Sequence, residues 1–166
     1  MRSNHSSVIE EVFNAITHGI GIILSIVGLA IFLSLSEKDS SALKNIGFGV
    51  FGIALTFSYL VSTLYHSFSF TKARKILKIL DHSSIFLLIA GTYTPFMLIA
   101  LKGQLGLVLF FLIWVFAISG IVLKTLYVHR FRKLSLVLYL FMGWLIVFGI
   151  KPLLNFLPES LYKCWI

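Results

Sequence analysis

The sequence predicts an all-α, polytopic transmembrane helical bundle of about five spans, and three observations predict it. Of the 166 residues, 58% are hydrophobic and only 12% are charged, with 16 phenylalanines among them. A soluble domain of this size cannot bury so much apolar surface, whereas lipid accepts it on every side. The apolar residues also gather in stretches of about 20, the length a helix needs to cross the hydrocarbon core. Backbone amides left bare in hydrocarbon are costly, so a spanning chain is helical or a closed barrel, and these stretches lack the short alternation of barrel strands. A chain of this length is expected to be a single membrane domain.

Span one is placed at about Ala15 to Leu35. It is too long for a signal-peptide core and lacks a basic leader and a small-x-small cleavage site, so it is expected to stay as a helix. Span two runs from about Leu43 to Ser67, span three from about His82 to Leu101, span four from about Leu105 to Leu123 and span five from about Leu134 to Ile150. The segment Lys151 to Ile166 holds Pro152, Pro158 and Glu159 and is too short to cross, so it is expected at the interface, with Tyr162 and Trp165 near the headgroups. Cys164 is the one cysteine, which excludes an internal disulfide, and its place third from the end does not make a prenylation box.

The net charge of +8 is distributed as a topology signal. Arg2, the loop after span two (Lys72, Arg74, Lys75, Lys78) and the loop after span four (Lys124, Arg130, Arg132, Lys133) put nine basic residues on one face. Lys38, Lys44, Lys102, Lys151 and Lys163 share the other face with Glu37, Asp39 and Glu159. The positive-inside rule therefore predicts a cytoplasmic amino terminus in a cell (plasma) membrane, with the lipid bilayer as partner and no nucleic acid. The basic loop after span two is also expected to touch anionic lipid.

Polar residues inside the spans are expensive and face other helices or a wet cavity. In span two, Ala54, Ser58, Ser62 and His66 recur every four residues as one stripe. In span one, Asn14, His18, Gly21, Ser25 and Gly28 form a similar face. Small residues on such faces let helices approach closely, which suffices to explain Ala54, Ser58, Gly21, Ser25 and Gly28. Asp81 and His82 open span three, and the short connection from span two puts Asp81 at the depth of His66. Ser62, His66, Asp81, His82 and His18 thus gather at one membrane edge. Histidine is a common zinc ligand, and a nearby carboxylate orients a ligand or activates water. The competing reading is that boundary His and Asp residues meet water and headgroups, with Asp81 capping its helix. His5 and His129 are expected to be solvated, and Trp114 and Trp144 to pack.

Several strings then resemble one family. Glu11-Val12-Phe13-Asn14-Ala15-Ile16-Thr17-His18-Gly19 is similar to the opening motif of the hemolysin III family, bacterial relatives of the progestin and adipoQ receptors. Ser62-Thr63-Leu64-Tyr65-His66 resembles its Ser-x-x-x-His on span two. Leu80-Asp81-His82-Ser83-Ser84-Ile85-Phe86, continuing to Ala90-Gly91-Thr92-Tyr93-Thr94-Pro95-Phe96, resembles its third-span signature. Tyr139 to Trp144, followed by Lys151-Pro152-Leu153, is similar to its fifth span.

The resemblance covers nearly the whole chain and implies a seven-helix fold with a zinc ion near the cytoplasmic side. It implies that His66 ligates zinc, that Asp81 holds or deprotonates a zinc-held water, and that Ser62 supports that water or the substrate oxygen. Two further ligands belong to a His-x-x-x-His motif on the family's last span, which the five spans here do not include; His18 and His82 stand as substitutes. The wider group includes alkaline ceramidases, which implies a zinc-dependent hydrolase acting on a lipid amide substrate. Two other readings stay open: a membrane-perturbing cytolysin or pore, which the family name suggests, and a non-catalytic membrane remnant.

Overall fold

A computed structural model describes residues 2–37, 41–101, 103–126 and 132–156, with side chains described at 8–36, 41–101, 103–126 and 134–155. Its helices are α1 (Arg2–Glu37), α2 (Ala42–Ser67), α3 (Arg74–Pro95), a π-helical turn (Phe96–Ala100), α4 (Gln104–Leu126), α5 (Arg132–Trp144) and α6 (Ile146–Phe156). No strand occurs among the described residues. Among the described residues, five stretches are long and apolar enough to cross a membrane: Val8–Ser36, Ala42–Ser67, Arg74–Ala100, Gln104–Leu126 and Leu134–Asn155.

The helices run past the expected span limits where basic side chains join them. α3 starts at Arg74 rather than His82, so Arg74, Lys75 and Lys78 ride on its first turns and only Lys72 stays in the connection. Lysine and arginine are good helix formers whose long stems let the charge reach the interface, so a basic stretch extends a span instead of ending it. Lys124, expected in a loop, lies in the last turn of α4 and is buried. The expected interfacial tail begins as helix, since α6 continues through Lys151 and Pro152 to Phe156. The expectations for His129, Arg130, Pro158, Glu159, Tyr162, Cys164 and Trp165, and for the side chain of His5, fall outside the described residues.

Consecutive helices pack in sequence, α1 on α2, α2 on α3 and α3 on α4. Without a hydrophobic drive between helices in lipid, such contacts depend on small residues and interhelical hydrogen bonds. Gly52 lies under Leu29 of α1, where an added Cβ would come within 2.5 Å of the leucine side chain. Ser25 and Thr56 join α1 to α2 through their hydroxyls at 2.9 Å. Gly91 of α3 sits against Ala54 of α2, and a Cβ there would meet the Ala54 methyl at 2.6 Å. Gly28, expected to serve packing in the same way, would meet nothing within 4 Å.

α3 is the centre of the bundle. Phe86, Ala90, Tyr93 and Met97 pack with Leu109, Ile113 and Ala117 of α4 and with Met142 and Leu145. Trp114 borders this core and donates from Nε1 to Thr94 Oγ1 at 3.2 Å, whereas Trp144 faces outward and is 70% exposed. Pro95 has no N–H to continue the α-helical ladder, and the chain widens just after it into a π-turn closed by Leu101 N–H on the Phe96 carbonyl at 2.9 Å. The fifth span, expected as one helix, is interrupted at Leu145 between α5 and α6. The Tyr93 hydroxyl bridges that interruption, donating to the Gly143 carbonyl at 2.7 Å and accepting from Ile146 N–H at 3.0 Å.

Candidate polar site at the amino-terminal face

The bundle end where α2 closes and α3 opens carries the polar residues. On α2, Leu55 is three and four residues before Ser58 and Tyr59, these are four and three before Ser62, and Ser62 is four before His66, so the five share one helix face. On α3, Asp81, Ile85 and Leu88 follow the same periodicity. These two faces, with His18 of α1, enclose a cavity of about 380 Å³. The structure therefore brings His18, Ser62, His66 and Asp81 together and leaves His82 out.

His82 follows Asp81 by one residue, which turns it about 100° around the helix. Its Nδ1 donates to the Lys78 carbonyl at 2.8 Å, and its contact with Asp81 Oδ2 is long, at 3.7 Å. Because α3 starts at Arg74, with Ala73 at the cap position, Asp81 lies two turns inside the helix and does not cap it.

The cavity groups are sparsely engaged. Among the described residues, neither the Ser62 hydroxyl nor the Asp81 carboxylate makes a hydrogen bond, although Ser62 is buried. Ser58, by contrast, is spent on the helix interface. Ser84 donates to the Asp81 backbone carbonyl at 2.7 Å, so its single proton is used and Ser58 donates to Ser84 Oγ at 3.2 Å. The His18 ring stacks on the His66 ring, with centroids 5.6 Å apart and planes 1° from parallel.

One participant was not singled out by the polar stripes. Glu11, one turn before Asn14 on the α1 face, places Oε2 at 2.6 Å from His66 Nδ1 and Oε1 at 3.1 Å from an Arg74 guanidinium nitrogen. The Arg74 guanidinium also lies over the Tyr65 ring, 5.8 Å from its centroid. Helical spacing offered a signal, since Glu11, Asn14 and His18 stand at i, i+3 and i+7.

In kind, these donors suit zinc: an imidazole with one nitrogen held by a carboxylate, and a second carboxylate on the same cavity. In number they fall short, because among the described residues no three His, Cys, Asp or Glu groups are placed to hold a metal ion. The described residues are thus at most part of a metal site.

Comparison with known proteins supplies the context. Residues 6–165 match the family model described as haemolysin-III related. The chain is 52% identical over 144 residues to the Hemolysin-3 of Bacillus cereus, covering 87% of this chain and 66% of that one. It is 49% identical over 144 residues to the Hemolysin-3 homolog of Bacillus subtilis (strain 168), covering 87% of this chain and 68% of the relative. Over 140 residues it is 28% identical to the human Monocyte to macrophage differentiation factor, covering 81% of this chain and 58% of that protein. The chain therefore spans about two thirds of the length of the Bacillus relatives it matches. No solved structure matches it.

Proposed function

Because the chain belongs to the haemolysin-III-related family of multi-pass membrane proteins, we propose that the polar cavity of α1–α3 is one wall of a zinc-dependent, lipid-amide-hydrolysing site. We place it on the cytoplasmic side of the cell membrane, with the amino terminus in the cytoplasm. The observation that carries this reading is that Ser62, His66 and Asp81 share one cavity while, among the described residues, neither the Ser62 hydroxyl nor the Asp81 carboxylate makes a hydrogen bond and the Asp81 contact with His82 is long, at 3.7 Å. A polar group in a span is expensive, so unspent ones are a reason to look for a ligand.

A zinc ion in such a site supplies Lewis-acid polarisation of a carbonyl. The chain's own residues do the rest. His66 presents an imidazole to the cavity, Asp81 offers a carboxylate able to accept a proton from water, and Ser62 offers a hydroxyl to hold a water or a substrate oxygen. The cavity shares Leu55 and Tyr59 with an apolar hollow of about 160 Å³ between α1 and α2. A polar pocket beside an apolar one suits a substrate that is polar at one end and hydrocarbon at the other.

The test is zinc content and amide hydrolysis of a long-chain N-acyl lipid by the purified full chain, beside Asp81→Asn and Ser62→Ala. Zinc-dependent turnover lost in Asp81→Asn supports the reading, and folded protein that neither binds zinc nor cleaves the lipid refutes it for this chain. The Bacillus cereus relative is called a hemolysin, and that word favours a second reading as a membrane-perturbing protein. Dye release from liposomes that persists in His66→Ala would support this second reading.

A further inference from the structure

Glu11 is buried further than its neighbour Glu10, and both of its carboxylate oxygens are occupied, one by His66 of α2 and the other by Arg74 at the start of α3. It thereby ties together the three helices that enclose the polar cavity. His66 is also the one residue lining both the polar cavity and a second hollow bounded by Glu11, Val12 and Phe70. The ring stands as a partition. Its Nδ1 edge meets Glu11, the His18 ring stacks on its face, and among the described residues its Nε2 makes no hydrogen bond.

We propose that Glu11 is a positioning residue for His66. A carboxylate accepts hydrogen bonds and donates none, so it fixes the proton on Nδ1 and leaves the lone pair on Nε2 directed to the cavity. Arg74 acts one step further out, because a guanidinium only donates and so holds the carboxylate from its other oxygen. The stack of His18 on His66 limits tilting of the ring. Where the cavity group is a metal ligand, as proposed above, this is the arrangement that orients an imidazole for coordination. The inference rests on that reading for its purpose but not for its geometry.

The obligate donor Arg74 makes a specific test possible. In Glu11→Gln, a side chain of the same shape, Arg74 claims the amide oxygen and the NH₂ group is turned toward His66. Nδ1 must then accept, and the ring proton moves to Nε2, where it blocks the cavity side. In Glu11→Gln with Arg74→Met, the amide is free to turn its oxygen to Nδ1 and restore the first tautomer. The measurement is the ¹⁵N chemical shift of the ring nitrogens in the full chain in lipid, at about pH 8 where an ordinary histidine is neutral, with His66 assigned by His66→Gln.

Wild-type protein is expected to show a protonated Nδ1 and a bare Nε2, Glu11→Gln the reverse, and the double variant a return. A wild-type ring protonated at Nε2, alone or on both nitrogens, overturns the proposal without any variant. A tautomer unmoved in Glu11→Gln overturns it as well. Titration with zinc alone separates this inference from the proposed function. If wild-type binds zinc, Glu11→Gln should bind it roughly 10–100-fold more weakly. A wild-type chain without zinc affinity refutes the metal reading, while the ring nitrogens still decide the role of Glu11.

Discussion

The Tyr93 hydroxyl stands 3.0 Å from the Ile146 backbone nitrogen and occupies the place where the helical ladder of the last span is broken. It also donates to the Gly143 carbonyl at 2.7 Å, so one side chain of α3 satisfies backbone groups on both sides of Leu145. In hydrocarbon those groups have no water to fall back on. Tyr93→Phe keeps the ring in the core and removes only this bridge. The expected cost is about 1–3 kcal/mol, the penalty for a buried polar group left unpaired. Thermal unfolding of the purified protein in detergent should show a lower Tm for Tyr93→Phe, and an unchanged Tm would mean that water or a neighbour replaces the hydroxyl.

Close approach of α2 and α3 gives a second prediction. An added Cβ at Gly91 would stand 2.6 Å from the Ala54 methyl, which has no rotamer to escape into. Gly91→Ala should therefore force the helices apart and destabilise by about 1–3 kcal/mol, as overpacking does. Gly28→Ala is the control, since nothing lies within 4 Å of its Cβ position. It should be neutral or slightly stabilising, because alanine favours helix over glycine. Equal losses of detergent stability in the two variants would contradict the packing described here.

These positions show what the sequence displayed and what it withheld. The spans were legible because lipid imposes an apolar length that composition alone reveals, and the stripe Ser58–Ser62–His66 was legible because a helix face has a period. Helix ends were less so, since Arg74 and Lys78 look like loop residues until the helix is seen to run through them. Gly28 and Gly91 cannot be told apart by type; only the neighbouring helix decides which glycine is needed. The break at Leu145 was hidden because the device that permits it, Tyr93, lies on another helix, 50 residues before Gly143. Glu11 was legible in spacing but not in role, which needed the ring of His66 beside it.

Charge distribution predicts the orientation. The five spans read from the sequence would leave nine basic residues on the amino-terminal side against five on the other, so the connection between α2 and α3 should be cytoplasmic. In a Cys164→Ser background, Thr71→Cys should resist a membrane-impermeant thiol reagent in intact cells, while Gln104→Cys at the other face should react. The reverse pattern would place the polar cavity on the outer side, and the substrate would then be sought in the outer leaflet.

Histidine substitutions test which side chains belong to the site. His18 and His66 share the cavity, whereas His82 spends Nδ1 on the Lys78 carbonyl and lies outside it. If the cavity takes zinc, His66→Ala should weaken binding by more than the roughly 10–100-fold that loss of a supporting residue costs. His82→Ala should leave affinity within about twofold, as for a surface change away from a site. His18→Ala should fall between these, because it removes the ring that limits the tilt of His66 without removing the carboxylate that orients it. Competition with a chromogenic chelator measures all three. Zinc lost in His82→Ala but kept in His66→Ala would show that the metal is held on the other side of α3, and the cavity would then need a different ligand.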